Sequence, residues 1–190
     1  MVTIRPQPLP VAQHGASLLE VLITLIILAI GLLGLAGLQS RLQASEMEAY
    51  QRAQALILLN DMASRITTNR ANAASYVTGA DSPLGAGSAC PTTTATQQES
   101  DAGEWCNALQ GAGETLDASN VGAMVGGRGC VESLGGGEYL VTVAWQGLGP
   151  VSAPPDSVAC GAGEYDGGTN CVDDLCRRTV TTIVRIGDLS

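Results

Sequence analysis

Residues 15–38 have the sequence GASLLEVLITLIILAIGLLGLAGL, and this stretch decides the fold of the chain. From Leu18 to Leu38 the only strongly polar side chain is Glu20, and Thr24 is able to bond back to its own helix. A helix rises about 1.5 Å per residue, so about 20 residues cross the roughly 30 Å hydrocarbon core of a bilayer. The stretch therefore predicts a membrane-spanning helix.

A pair of small residues, Gly15-Ala16, precedes the apolar run. A secretory signal peptide carries its small-residue cleavage site after the apolar run, so cleavage here would remove a leader and keep the helix. Residues 1–15, which contain Arg5 and the single histidine, His14, are predicted to be that leader.

The carboxylate of Glu20 is unfavourable at this position, because a charged side chain inside a membrane helix raises the free energy of insertion by about 2.5 to 3.5 kcal/mol. The next cation along the chain, Arg41, lies about 31 Å further along a helix and is out of reach. Cleavage after Gly15 would create an amine on Ala16, at the i,i+4 spacing from Glu20. That amine belongs either to the same chain or to a neighbouring subunit. In the second case the unpaired carboxylate favours docking between subunits.

These residues resemble a known signal. Gly15 before the cut, Glu20 as fifth residue of the mature chain and the run LLEVLITL over 18–25 look like the class III prepilin signal of type IV pilins and type II secretion pseudopilins. Residues 29–39, AIGLLGLAGLQ, are similar to the corresponding part of the PilV-type minor pilins, the type IV pilus modification proteins.

The resemblance implies that a prepilin peptidase cleaves between Gly15 and Ala16 and N-methylates Ala16, and that Glu20 acts in assembly. It implies further partners: other minor pilins, the major pilin, the inner-membrane assembly platform and a pilus-tip adhesin. It also implies an α+β, type IV pilin-like fold, in which a long N-terminal helix packs on a small antiparallel sheet with disulfide-stapled loops. Major pilins often carry a proline in this helix, and this chain has none there.

The composition argues against several functions. A net charge of -9 offers no basic surface for nucleic acid. All 9 basic residues are arginines, and the only histidine lies in the predicted leader. The mature chain therefore lacks the residues of Ser-His-Asp, Cys-His and Ser-Lys sites and of the Walker motif. We expect no enzymatic activity, no cofactor and no metal site.

Beyond Leu38 the chain becomes amphipathic, and the helix is expected to continue to about Arg70. Its apolar residues recur at helical spacings: Leu42, Tyr50, Leu56, Leu59, Met62, Ala63 and Ile66. The stripe from Leu56 to Ile66 is predicted to pack in the core. The i,i+4 pairs on this helix, Glu48 with Arg52 and Asp61 with Arg65, are expected on a solvated face.

The later part of the chain favours short strands and loops. Glu138 to Gln146 alternates like a strand, and Arg178 to Ile186 is rich in β-branched residues. Weaker strand patterns lie at 121–125 and 130–134, within an otherwise loop-rich region over 71–135, and 147–175 is a predicted loop. Two to four antiparallel strands against the helix would form an α+β domain.

Six cysteines occupy the region beyond residue 89: Cys90, Cys106, Cys130, Cys160, Cys171 and Cys176. Disulfides persist outside the cytosol, so these residues favour a periplasmic location. Neither close CxxC pairs nor histidines accompany them, which disfavours zinc. The pairing is open; we expect at least one bridge within 160–176, and Cys90 with Cys106 is a further hypothesis.

Two other features have a plain structural interpretation. The acidic loop around Asp166, Asp173 and Asp174 contains oxygen ligands without the EF-hand order, so a solvated turn is favoured over calcium. Trp105 and Trp145 are expected in the core rather than at a ligand platform.

The domain plan is a leader over 1–15, a transmembrane and assembly half of the helix over 16–40, its amphipathic half over 41–70, and a periplasmic domain over 71–190. Three functions remain open. The first is a non-enzymatic minor pilin that contributes to priming of pilus assembly, and hence to twitching motility and adhesion. It would be a single-pass inner-membrane protein before it enters the pilus fibre of a Gram-negative bacterium.

The second function is that of a minor pseudopilin of a type II secretion system. The third is that of a bitopic, membrane-anchored periplasmic binding protein.

Overall fold

The computed structural model describes residues 17–113, 115–116, 119–120, 122 and 124–187. The chain divides into two compact units, one ending at Gln43 and one beginning at Ala44. Helix α1, Leu18–Thr68, contributes to both. The predicted leader and cleavage site lie outside the described residues.

The described part of the first unit consists of Ser17 and the apolar part of α1. Every described residue in it is exposed, including large apolar side chains such as Leu18, Leu28 and Leu33. Thr24 Oγ1 donates to the carbonyl of Val21 at 2.8 Å, which confirms the expected bond to its own helix. Among the described residues, α1 is the one helix long and apolar enough to cross a membrane, and no part of its apolar window is buried.

The second unit begins with the amphipathic part of α1. Its buried residues are Gln51, Ala55, Leu59, Met62 and Ile66. The predicted apolar stripe starts at the wrong residue: Leu56 is 41% exposed, and the buried face of the helix begins at Gln51. The helix ends at Thr68, two residues before the predicted end, and a 3-10 helix follows over Arg70–Tyr76.

A second helix, α2, covers Gln97–Leu109, where the sequence predicted loops. Thr96 caps it with a complete capping box: the Thr96 hydroxyl accepts from the Glu99 N–H, and the Glu99 carboxylate accepts from the Thr96 N–H. The buried face of α2 includes Trp105, whose Nε1 donates to the carbonyl of Leu58 on α1 at 2.9 Å. The prediction of a core position for Trp105 is confirmed.

The strands in chain order are β1 (Leu84–Gly85), β2 (Thr115–Leu116), β3 (Ser119–Asn120), β4 (Arg128–Gly135), β5 (Glu138–Gln146) and β6 (Arg177–Arg185). The main sheet is antiparallel and has the order β1-β4-β5-β6, and β2 and β3 form a separate pair. The strand predicted over 138–146 is confirmed residue for residue, and β6 lies one residue before its predicted bounds. In the weaker pattern over 121–125, the described residues 122, 124 and 125 are not in a strand.

The two faces of the sheet are covered differently. Alternate residues of a strand point to opposite faces, and Val141, Val143 and Trp145 of β5 join the main core with α1 and α2. Thr142 and Ala144 of β5, on the opposite face, are buried as well. The long loop between β5 and β6 covers this second face, where a Cβ on Gly161 would lie 3.4 Å from the Cβ of Ala144.

Three disulfides staple the second unit. They join Cys90 to Cys106, Cys130 to Cys160, and Cys171 to Cys176, with Cα–Cα distances of 5.5, 5.9 and 5.2 Å. The first bridge is the pair suggested from the sequence, and the third lies within the segment where a bridge was expected. A long helix, a small antiparallel sheet and three bridges together form an α+β protein.

Candidate functional site in the apolar helix

Ser17 and Glu20 form the first turn of α1. The N–H of Glu20 donates to Ser17 Oγ at 3.2 Å and to the Ser17 carbonyl at 3.0 Å. Ser17 thus occupies the N-cap position and Glu20 the third position of the helix, the spacing of a capping box. A carboxylate in the first turn also meets the positive end of the helix dipole, which favours its charge. No cap was predicted at Ser17, although the pattern Ser-x-x-Glu signals one.

The carboxylate of Glu20 is exposed, and none of the described residues bonds to it. Helix geometry at the first turn offsets part of the cost of a charge beside an apolar segment, but supplies no cation. The predicted partner, the amine of Ala16, lies outside the described residues, as does Gly15. The pairing of Glu20 with an amine therefore stays a prediction.

The surface that follows Glu20 is apolar on all sides. Leu18 is 89% exposed and Leu33 73% exposed. A contiguous apolar surface of this extent marks a region that lipid or another protein covers. Gly31, Gly34 and Gly37 lie within it, and a Cβ built on each of them meets no atom within 4 Å. No packing among the described residues requires glycine at these positions.

The site consists of one exposed carboxylate at the first turn of a helix whose next 18 residues, from Val21 to Leu38, carry no charge. The helix is long and apolar enough to cross a membrane, and its first turn carries a charge. A nucleophile paired with a base, the minimum for covalent catalysis, is not part of it.

The second unit holds a polar cluster that was not predicted from the sequence. Arg65 donates to Asp61 at 2.9 Å and to Asp101 and Glu104 at 2.8 Å each. The i,i+4 pair of Asp61 and Arg65 is thus confirmed, but the pair is not simply solvated. Burial alone would lower the pKa of Arg65, and the bonds to three carboxylates outweigh burial and raise that pKa above its usual value.

Asp101 is the centre of this cluster and is only 4% exposed. Its carboxylate accepts from the hydroxyl of Tyr76, from Gln97 Nε2 at 2.9 Å and from Arg65. Burial opposes its charge, yet these three donors hold the pKa of Asp101 below its ordinary value. The pKa of the Tyr76 hydroxyl is raised, mainly by burial and to a smaller extent by its hydrogen bond to the Asp101 carboxylate. The cluster joins α1, the 3-10 helix and α2, and every member uses its bonds inside the fold, which indicates a structural role.

Two predicted features differ in detail from the structure. Glu48 pairs with Arg178 at 3.3 Å across a long sequence separation, whereas the sequence paired it with Arg52. Asp174 accepts from the N–H of Gly163 at 2.8 Å and forms an ion pair with Arg177 at 3.0 Å, so its carboxylate orders the loop. Within the described part of the chain, no group of three or more His, Cys, Asp or Glu side chains is placed to hold a metal ion.

Comparison of the chain with protein-family models, with curated proteins and with solved structures gave no match.

Proposed function

We propose that this chain is a minor subunit of a type IV pilus, anchored in the inner membrane before it enters the fibre. The observation that carries the proposal is the exposed Glu20 carboxylate in the first turn of α1, directly before the uncharged and fully exposed stretch over residues 21–38. A single anchor needs no such charge, whereas a docking subunit gains from one. The prepilin-like residues 15–25 and the PilV-like residues 29–39 support the finer assignment to a pilin-like fold.

In this proposal a prepilin peptidase removes residues 1–15 and methylates Ala16. The disulfide-stapled second unit faces the periplasm, where the three bridges are stable. The subunit then joins other minor pilins and the major pilin on the inner-membrane platform and contributes to priming of assembly. Twitching motility and adhesion follow from the assembled fibre, and the subunit itself is not an enzyme.

The first experiment is intact mass measurement with N-terminal sequencing of the protein from membranes and from sheared surface fibres. We expect a methylated Ala16 terminus in both fractions. The same terminus in membranes alone would favour a pseudopilin of a type II secretion system. An uncleaved Met1 terminus would contradict processing and leave a bitopic periplasmic binding protein.

Glu20→Ala tests the docking role directly. We expect the variant to insert in the membrane and to be cleaved, but its amount in sheared fibres should fall at least about tenfold, because a docking interaction worth about 1.4 kcal/mol is lost. Glu46→Ala is the matched control, since Glu46 is another exposed glutamate of the same helix. Equal incorporation of the Glu20 variant and wild type would rule out the docking role.

A further inference from the structure

The loop over residues 147–151 is held firmly on the second unit. At one end the N–H of Gly147 donates to the carbonyl of Cys176 at 2.8 Å, and at the other the N–H of Val151 donates to Leu175 at 2.8 Å. The loop therefore has a defined position, although it contains no regular secondary structure.

The middle of the loop is fixed by an ion pair. Arg178 Nη2 lies 3.3 Å from Glu48 Oε1 and donates to the carbonyl of Gly149 at 2.7 Å. The N–H of Leu148 donates to the same Glu48 oxygen at 3.2 Å. The backbone of the loop thus finds polar partners inside the protein, so an apolar environment would not strip these groups of hydrogen bonds.

The side chains of the loop nevertheless point outward. Leu148 is 52% exposed and Val151 is 53% exposed, and Pro150 lies exposed between them. They border an open groove of about 410 Å³ whose other wall is the start of the second unit's helix, with Ala44 and Ser45. Because the backbone that carries these side chains is already held in place, covering them does not require the loop to be ordered first.

The charge at this surface is less negative than that of the whole chain. The groove and its neighbour are lined by one carboxylate, Glu48, and two guanidinium groups, Arg52 and Arg178. The chain as a whole carries -9. An anionic surface therefore meets less repulsion here than the net charge implies.

A covalent tether keeps this groove near the membrane. The apolar run ends at Leu38, and the chain from there to Ala44 reaches at most about 21 Å even when fully extended. With residues 18–38 in the bilayer, Ala44 cannot leave that range. Contact with the membrane surface is then an intramolecular step, so a small apolar area is enough to favour it.

We propose that the 147–151 loop docks the second unit on the headgroup region of the same membrane that α1 spans, with Leu148 and Val151 inserted at the interface. The inference rests on the anchoring part of the proposed function and does not depend on pilus assembly.

The test uses the full chain reconstituted in vesicles that contain an excess of phosphatidylethanolamine over phosphatidylglycerol, doped with a phospholipid whose acyl chain carries a diazirine. After irradiation, tandem mass spectrometry locates the lipid adducts. We expect adducts at 147–151 in addition to those at 18–38, and none around Ile183, which is 47% exposed on β6 and serves as the internal reference. Adducts confined to 18–38 would overturn the docking inference and leave the anchor intact.

A second measurement compares Val151→Trp with Ile183→Trp in vesicles of brominated lipid. Residue 183 lies about 17 Å along β6 from Arg178, beyond the range of contact quenching. We expect a loss of fluorescence for the residue 151 variant, beyond that of the native Trp105 and Trp145, and no such loss for the residue 183 variant. Equal quenching of both variants would contradict the inference. Absence of adducts at 18–38 in the first experiment would instead contradict the anchor on which the proposed function depends.

Discussion

One buried residue of the polar cluster in the second unit contributes to the response of the fold to acid. Asp101 is nearly fully buried and has a pKa below its ordinary 3.8, because its three donors outweigh the cost of burial. A carboxyl group whose pKa is depressed on folding stabilises the protein above its unfolded pKa, and this contribution is lost as the pH falls through the folded value. The second unit should therefore lose stability below pH 3.8 in part through this one residue.

Asp101→Asn is expected to destabilise the second unit by about 1 to 3 kcal/mol at neutral pH, because the bond to the charged Arg65 is weakened. The difference from wild type should shrink as the pH falls below 3.8. Chemical denaturation of the full chain, followed by tryptophan fluorescence across this pH range, measures both effects. Glu104→Gln is the control, since the Glu104 side chain is 64% exposed and its pair with Arg65 is worth little. If the asparagine variant lost the same stability at every pH, the stabilising role of the charged Asp101 carboxylate would be contradicted.

Gln51 is a second residue with a measurable consequence. It is 1% exposed, and neither polar atom of its amide has a partner among the described residues. Because an unsatisfied buried polar group is costly, Gln51→Met should stabilise the second unit by about 1 kcal/mol. Thermal unfolding of the full chain in detergent tests this, with Gln54→Met, at a less buried position of the same helix, as control. Destabilisation by the methionine would show that the amide is satisfied in solution.

Among the helices and strands, those with a regular local pattern of apolar residues were predicted correctly from the sequence. β5 was predicted with its bounds because its alternation is uninterrupted, and the loop before β6 was predicted from its glycines and prolines. Helix α2 was missed because its residues are mostly polar or small and its buried face is narrow, although Thr96 and Glu99 carry a capping signal. The buried stripe of α1 was misplaced at its first turn, since the sequence gives no sign that Gln51 is buried and Leu56 exposed.

The contact between α2 and the sheet allows a sharp test. A Cβ on Gly129 of β4 would lie 2.2 to 2.7 Å from three ring atoms of Trp105. The ring is fully buried and bonded to α1, so it cannot move aside without cost. Gly129→Ala is expected to destabilise the second unit by about 3 kcal/mol, as overpacking of a core does. Denaturant midpoints measure the effect, and Gly149→Ala, whose Cβ meets no atom within 4 Å, should be nearly neutral. A denaturation midpoint of Gly129→Ala equal to that of wild type would mean that α2 and β4 are not in contact.

The candidate site and the polar cluster differ in how far the sequence alone predicts them. Glu20 stands out because its surroundings are apolar in the sequence itself. Arg65 and Asp101 are 36 positions apart, so only the three-dimensional packing of α1 on α2 brings them together. Long-range pairs of this kind leave no periodic pattern in a single sequence.

For the molecule as a whole, the three disulfides should contribute unequally to stability. Their sequence separations are 16, 30 and 5 residues, and the loop-entropy model gives contributions of about 3, 3.5 and 2 kcal/mol. Paired replacement by alanine should therefore lower the denaturation midpoint most for Cys130 with Cys160 and least for Cys171 with Cys176. Unfolding of the three double variants under one condition provides the ranking. The reverse order would show that native packing, rather than closure of the unfolded chain, determines the effect.

The bridge between Cys130 and Cys160 also has a mechanical consequence. It ties β4 to the loop on the far face of the sheet and closes 30 positions of chain. Under tension the chain segment between these two cysteines cannot extend, so the pulled chain is shorter by about 100 Å of contour length. A pulled chain would therefore lengthen in short steps and carry load as a stiff link, even after its sheet has come apart.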